Sequence, residues 1–431
     1  MMDRWNHRGR RVLQLVFAAA LCAGGGAAVA QSAPTEPTDF RFSGFGTIGL
    51  SHVDAPDGWA YKRETTQADN SGRMRADLDT RIGVQLNYAP APQFELVTQV
   101  VATRRNAAAP TSDAIEWAFA SWRPDADWTV RGGRVNSDIF LLSDYRNVGF
   151  GYPFVRPPVD FYALLPRSLD GVDIAREWKV GGVHWRAKVF GGRAITFADA
   201  ASRLELQPAY GATVSRDADG LLLRASAVRL RVANEIATVQ PLLEALTLIS
   251  SLPVPDIAAQ AADLRDRSGV KDANLTYLSL GTRYESRHWL ASAEYVRVSG
   301  HPSITYSAGY ASVGRRFGAL TAFATVSRAQ SANPALVTPA WGAALAPVVG
   351  PAFAQQAQFV ANAATSSLNS VRMAQSTWSL GARYDLDARW ALKFQWDQIR
   401  VHSNGAGYWG GSKGPDPANA SVATVVVDFV F

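Results

Sequence analysis

The polar and apolar positions of this chain alternate with period two over most of its length. The last twelve residues show it most clearly. From Ala420 to Phe431, Ala423, Val425, Val427, Phe429 and Phe431 form one apolar series, while Thr424, Val426, Asp428 and Val430 form a mixed one. This is the pattern of a β-strand with one greasy face. An unpartnered strand is adhesive at its edges, and closing a sheet on itself supplies both neighbours. The same rhythm predicts further strands at Phe40–His52, Leu78–Tyr88, Gln93–Thr103, Ile115–Trp122, Trp128–Val135, Ser168–Trp178, Gly181–Phe190 and Leu206–Ser215. It continues at Leu221–Val232, Asn274–Glu285, Trp289–Val298, Ser303–Arg315, Ala319–Arg328, Gln375–Asp385 and Trp390–Val401. In the second strand Leu78, Ile82, Val84, Leu86 and Tyr88 oppose Asp79, Arg81, Gln85 and Asn87.

With the closing segment the count is sixteen strands. Tight turns (Ala89 to Pro92, Pro124 to Asp127, Asp385 to Arg389) alternate with long connections, among them Val53 to Ala76, Asn136 to Arg167, Gly191 to Glu205, Ala233 to Lys271 and Ala329 to Met373. An even number of strands of about ten residues, with short turns at one end and long loops at the other, predicts an all-β, antiparallel transmembrane barrel over residues 40–431. One hairpin is echoed: Ser279-Leu280-Gly281-Thr282-Arg283-Tyr284-Glu285 returns as Ser379-Leu380-Gly381-Ala382-Arg383-Tyr384-Asp385, each followed by a Trp-led strand at Trp289 or Trp390. Tyr88, Trp117, Trp128, Tyr284, Trp289, Tyr384 and Trp390 lie near strand ends, as an interfacial girdle would require. Two insertions switch to helical spacing: Leu242, Leu243, Leu246 and Ile249, then Ile257, Ala261 and Leu264, and the Ala/Gln-rich Gln355 to Asn369. These read as loop helices over the barrel mouth, or more sharply as a lid or subunit contact.

Residues 1–30 read as a secretory signal peptide. Arg4, Arg8, Arg10 and Arg11 precede the apolar run Val12 to Ala23, and Ala28-Val29-Ala30 offers a cleavage site before Gln31. Residues 31–39 are then a short lead-in. The only cysteine, Cys22, falls in the leader, so the mature chain has no disulfide or thiolate chemistry. The leader's four Arg and one Asp carry +3 of the formal +6, leaving +3. No basic run of five exists, which argues against a nucleic-acid partner. No uninterrupted apolar run of eighteen residues exists, and Pro339, Pro347 and Pro351 interrupt the most apolar late stretch. The six histidines (His7, His52, His184, His288, His301, His402) show no metal-ligand spacing, and neither Gly-x-Ser-x-Gly nor His-Glu-x-x-His occurs. The residues therefore suggest neither an enzyme nor a cofactor.

The leader, the hairpin rhythm, Gly44-Phe45-Gly46 in the first strand and the final Phe431 together resemble the sixteen-stranded porins of Gram-negative outer membranes. The resemblance implies a homotrimer among outer-membrane lipids, a terminal Phe431 read by the barrel-assembly machinery, and a third loop that enters the lumen. Here that loop is Asn136 to Arg167. The family's acidic Pro-Glu-Phe-Gly-Gly stretch is absent, with Gly149-Phe150-Gly151 its nearest echo. Acids on the loop (Asp138, Asp144, Asp160) and bases on inward wall positions (Arg81, Arg131, Arg383, Lys393) are the expected constriction and selectivity residues. Within the loop, Arg146, Arg156 and Arg167 are expected to balance the three aspartates. The expected function is passive diffusion of ions and small hydrophilic solutes. The alternatives are a substrate-specific channel with a loop-built site and a plugged structural or adhesive barrel.

Overall fold

The computed structural model describes residues 40–106, 109–164, 166–197, 203–411 and 417–431. The signal peptide, the cleavage site, Cys22 and the lead-in at 31–39 lie outside the described residues. Sixteen long strands form one closed antiparallel barrel. In chain order they are β1 (Phe40–Asp54), β2 (Arg81–Ala91), β3 (Phe94–Thr103), β4 (Ile115–Trp122), β5 (Trp128–Asn136), β6 (Ser168–Val180), β7 (Val183–Phe197) and β8 (Arg203–Ala218). The second half comprises β9 (Leu221–Val232), β10 (Asn274–Glu285), β11 (Trp289–Ser299), β12 (Tyr306–Phe317), β13 (Leu320–Ser331), β14 (Met373–Asp385), β15 (Trp390–Ala406) and β16 (Ala418–Val430). Each strand pairs with its sequence neighbours, and β1 closes the circle by pairing with both β2 and β16, for example Phe45↔Val430 and Phe45↔Gly83. Closure leaves no open edge, so the long strands' backbone groups are satisfied within the wall.

The side-chain alternation sorts the two faces. Phe40, Phe42, Ile48, Leu50, Val84, Leu86, Leu278, Leu280, Leu392 and Phe394 are exposed on the outside, whereas Thr47, Ser51, Gln99, Thr213, Ser226, Ser279, Gln395 and Thr424 are buried on the inside. In β16, Thr424, Val426 and Asp428 turn inward and Val425 outward, as its alternation requires. So large an exposed apolar face is unlike a soluble monomer and matches the lipid-facing band of a membrane barrel.

Four expectations need correction. Residues 191–205 are not one loop: β7 runs to Phe197 and β8 begins at Arg203, because the pairing Ile195↔Glu205 extends that hairpin. Leu78 is not part of an outward apolar series. The strand starts at Arg81, and Leu78 is fully buried in the interior cluster. Trp117 does not join the outer girdle. It has the parity of buried Ser121 and pairs with inward Gln99 in the regular register, 6.5 Å from Phe119; the register shift beyond Gln99 brings Ile115, not Glu116, opposite Val100. Val53 to Ala76 is not plain loop, since Trp59–Ala60 and Met74–Arg75 form short ladders with Gly410–Gly411 and with β1.

The expected loop helices are present. The β9–β10 connection carries α1 (Gln240–Ser250) and α2 (Pro255–Ser268), and the β13–β14 connection carries α4 (Pro351–Ser370), preceded by a helix the pattern does not predict, α3 (Trp341–Val349), with Pro347 inside it. Proline opens α2 and α4, where its missing N–H costs nothing. Gly350, at φ 81°, makes the turn between α3 and α4. The four helices share an apolar core. Ala354, Ala357, Ala361 and Ala364 of α4 line one face against Leu246, Ile257, Leu264 and Trp341, and the Trp341 indole N–H donates to Gln260 at 2.8 Å.

Candidate pore constriction

The segment between β5 and β6, residues 137–167, contacts the inward rows of most of the barrel. Its carbonyls accept from Thr213 of β8 (2.9 Å, Asp138 O), from Arg224 of β9 (Phe140 O), and from Ser226 of β9 and Ser279 of β10 (both 3.2 Å, Ile139 O). The Leu141 N–H donates to Glu294 of β11 at 2.9 Å, and the Tyr162 and Tyr310 hydroxyls donate to the same carboxylate. Further on, the Val155 N–H donates to Gln395 of β15 at 2.9 Å. One side of the segment is apolar: Phe140 meets Tyr277 at 5.8 Å between ring centres, Phe154 meets Phe323 at 5.3 Å, and Phe161 meets Tyr310 at 5.5 Å. Buried aromatic packing and satisfied polar groups together hold this segment in one arrangement.

The predicted site residues fall into separate groups rather than one ring. Arg81, Arg383 and Lys393 hold the middle of the segment. Arg81 donates to the Asn147 carbonyl at 2.7 Å and to the Tyr152 hydroxyl at 2.9 Å. Arg383 donates to the carbonyls of Phe150 and Tyr152 and pairs with Asp385 at 2.6 Å. The Lys393 ammonium donates to the carbonyls of Gly149, Tyr152 and Phe154 at 2.6, 2.7 and 3.0 Å and pairs with Asp428 at 2.8 Å.

Arg131 and Asp138 belong to a second group on the opposite wall. Arg131 pairs with Asp173 at 2.6 Å. Asp138, 1% exposed, pairs with Lys188 (2.8 Å), Arg224 (2.9 Å) and Arg186 (3.1 Å), and Lys188 reaches Asp173 at 3.7 Å. Burial works to raise the Asp138 carboxyl, but Lys188, Arg224 and Arg186 outweigh it and hold it below the usual carboxylate range. With Glu177 3.3 Å from Arg186, this ladder sets four cations against three carboxylates.

Asp144 is exposed and accepts from the Asn136 side-chain amide. Asp160 stands apart from both groups. It is fully buried and, among the described residues, faces no cation within ion-pair distance, accepting instead from Ser327 at 2.6 Å and Gln375 at 2.5 Å. Burial pushes its carboxyl up to about 6, against the pull of the Ser327, Gln375 and Thr377 hydrogen bonds.

The loop's arginines pair with the wall and with neighbouring connections rather than with its own aspartates. Arg156 pairs with Asp79 (2.6 Å) and Asp397 (2.5 Å), all three essentially buried, and donates to Thr424. Arg146 and Arg167 pair with Glu64 of the β1–β2 connection at 3.5 and 3.6 Å, and Arg167 also with Glu116 at 2.8 Å. Sequence reasoning missed Arg186, Lys188, Arg224, Asp173, Glu294 and Glu64. The parity of His184, Arg186 and Lys188 in one strand was a usable signal for two of them. Nothing in the order of residues points to Glu64.

No family model matches the chain, and no curated protein matches it in sequence. Among solved structures the chain is similar to OmpF of Salmonella typhi, in complex with daunomycin (TM-score 0.52, 10% identity, 91% of this chain and 97% of that one). It is also similar to the outer-membrane OmpT of Vibrio cholerae (0.49, 10%, 92% and 99%) and to an anion-selective porin from Comamonas acidovorans (0.48, 10%, 91% and 100%). The likeness to OmpF, taken with the closed wall of sixteen strands, defines the fold as that of an outer-membrane porin.

Proposed function

We propose that this protein is a passive, water-filled channel of a Gram-negative outer membrane. It conducts ions and small hydrophilic solutes without chemical turnover. The observation that carries the reading is the contrast between the two faces: an apolar exterior, and an interior of fixed charge gathered on both sides of residues 137–167. In this reading the segment lies across the lumen and narrows it, with its Phe140–Phe154–Phe161 side against one wall. Water and solutes pass beside Arg131, Asp144 and Arg186.

The local charge favours anions mildly. The Asp138 ladder holds one excess cation. The group formed by Arg63, Arg105, Arg146 and Arg167 around Glu64 and Glu116 holds two more, while the Arg156 group holds one excess carboxylate. Fixed charge in a narrow, low-dielectric passage selects more strongly than net charge over the whole chain. The porin fold also supports a homotrimer, assembly by the outer-membrane machinery, and an orientation with the tight turns periplasmic.

A cavity of about 240 Å³ between the segment and strands β10 to β14, lined by Tyr145, Tyr152 and Arg283 with the pairs Arg316–Glu285 and Arg383–Asp385, supports a second reading. In that reading the channel binds a small anionic solute on the way through. Reconstituted vesicles separate the two. Swelling rates that fall smoothly with solute size support the general channel. A single carboxylated solute that enters fast and blocks the others supports the specific one. No swelling with any solute overturns both.

A further inference from the structure

On the outward face, at the long-loop end of β11, β12, β13, β14 and β15, the side chains follow one gradient. Going down the wall they read Arg297 then Tyr295 on β11, Arg328 then Val326 on β13, Ser376 then Trp378 on β14, and Arg400, Gln398 then Trp396 on β15. A groove of about 970 Å³ runs here, with Tyr295 and Trp378 beside it, Gly309 on its floor and Arg328 and Arg400 at its upper end. The register sets Arg328 opposite Ser376 and Ser376 opposite Arg400, so the two guanidinium stems are about 10 Å apart across two strand spacings. Among the described residues Arg297 and Arg400 meet no carboxylate, and Arg328 meets only the neutral Gln330 at 2.7 Å. The outward rows of β11 to β16 contain no Asp or Glu. At the tight-turn end, by contrast, outward Arg315 lies 5.1 Å over both Trp289 and Phe317.

We propose that this groove binds the phosphate-bearing headgroup of a membrane lipid, with the acyl chains lying down the wall past Tyr295, Trp378 and Trp396. Charge complementarity selects an anion, because three arginines share a surface without acids. The order from basic to aromatic to aliphatic selects an amphiphile over a free anion, since each zone matches one depth of a lipid. A second copy seated here through the same face would bury three guanidinium groups against rows that offer no counter-charge. The inference rests on the membrane-spanning reading proposed above.

The test uses the folded full chain in neutral detergent with phosphatidylglycerol or phosphatidylcholine added, and native mass spectrometry to count retained lipid. The parent should retain phosphatidylglycerol over phosphatidylcholine. The R297Q/R328Q/R400Q variant should lose at least tenfold of that retention, given about fivefold for each basic side chain near an anionic surface. The R297K/R328K/R400K variant should keep most of it. Equal retention of both lipids by the parent, or undiminished retention by the glutamine variant, overturns the site. So does a change of oligomer mass in the glutamine variant with lipid retention intact, which makes the groove a contact between copies. If the glutamine variant does not fold, R400Q and R328Q alone carry the test. Conductance measured on the same samples separates the two proposals: selective lipid retention without conductance sinks the channel and leaves the lipid site standing.

Discussion

Replacing Arg156 by Ala should release the middle of the 137–167 segment from the wall. The guanidinium is buried between Asp79 and Asp397 at 2.6 and 2.5 Å and also donates to Thr424. Burial tends to raise the Asp79 carboxyl, and the Arg156 charge more than reverses this, so Asp79 sits below the usual carboxylate range. Without Arg156 the two carboxylates share a dry site in which Arg63 and Arg81 offset only part of their charge. Breaking a buried ion pair from one side costs about 3–5 kcal/mol, and protonation of one acid keeps the cost near the lower end. About 3 kcal/mol multiplies the detached population by about 10². Amide hydrogen exchange over residues 147–158 should accelerate by that order, and single-channel current should become noisier and larger. The R156M/D79N/D397N variant, which removes the charges together, should return to within about 1 kcal/mol of the parent. Exchange in R156A within twofold of the parent would refute the claim that this triad anchors the segment.

Three further outcomes follow from the same geometry. Replacing Arg131 and Arg186 by Ala should move the zero-current potential in a salt gradient toward cations; the same change at Arg81, which is buried and bonded to Asn147 and Tyr152, should chiefly raise current noise. Asp160, raised to about 6, binds its proton more tightly in the folded segment than in the free one, so attachment should be firmest below about pH 4 and weaken as pH rises through 6; hydrogen exchange at pH 5 and 8 checks this, and D160N should abolish the difference. Deleting Phe431 should lower the yield of heat-modifiable folded barrel, because its ring covers Gly44 and lies 6.1 Å from Phe42 across the β1–β16 seam, with Gly44 and Phe431 exchanging backbone hydrogen bonds at 2.9 and 3.0 Å; unchanged yield with altered conductance would contradict that role.

The barrel was legible because period two is a local signal. The alternation in β2, β10, β14 and β16 needs only neighbours along the chain, and Ile115–Trp122, Leu221–Val232 and Asn274–Glu285 match observed bounds without change. α1, α2 and α4 were legible for the same reason at period 3.6, whereas α3 was not, because the prolines at 339, 347 and 351 mask it. Trp117 was misplaced because closeness to a strand end does not say which face a side chain takes, and its parity with buried Ser121 turns it inward. The site was only half legible. Inward parity identifies Arg81, Arg383 and Lys393 as wall residues, but their partners are carbonyls of a segment whose path the pattern does not encode. Arg156 meets Asp79 and Asp397 from positions 77 and 241 residues away, and such pairings are set by the closed wall rather than by spacing.

In the proposed channel, residues 137–167 leave a charged, water-filled passage through the barrel. Single-channel recording of the purified full chain in a planar bilayer under a tenfold potassium chloride gradient tests it most directly. Ohmic steps are expected, with a zero-current potential displaced modestly to the anion side and the displacement shrinking as salt shortens the screening length from about 10 Å at 0.1 M to about 3 Å at 1 M. A folded, heat-modifiable protein that inserts and carries no current would contradict it and leave a plugged barrel in its place.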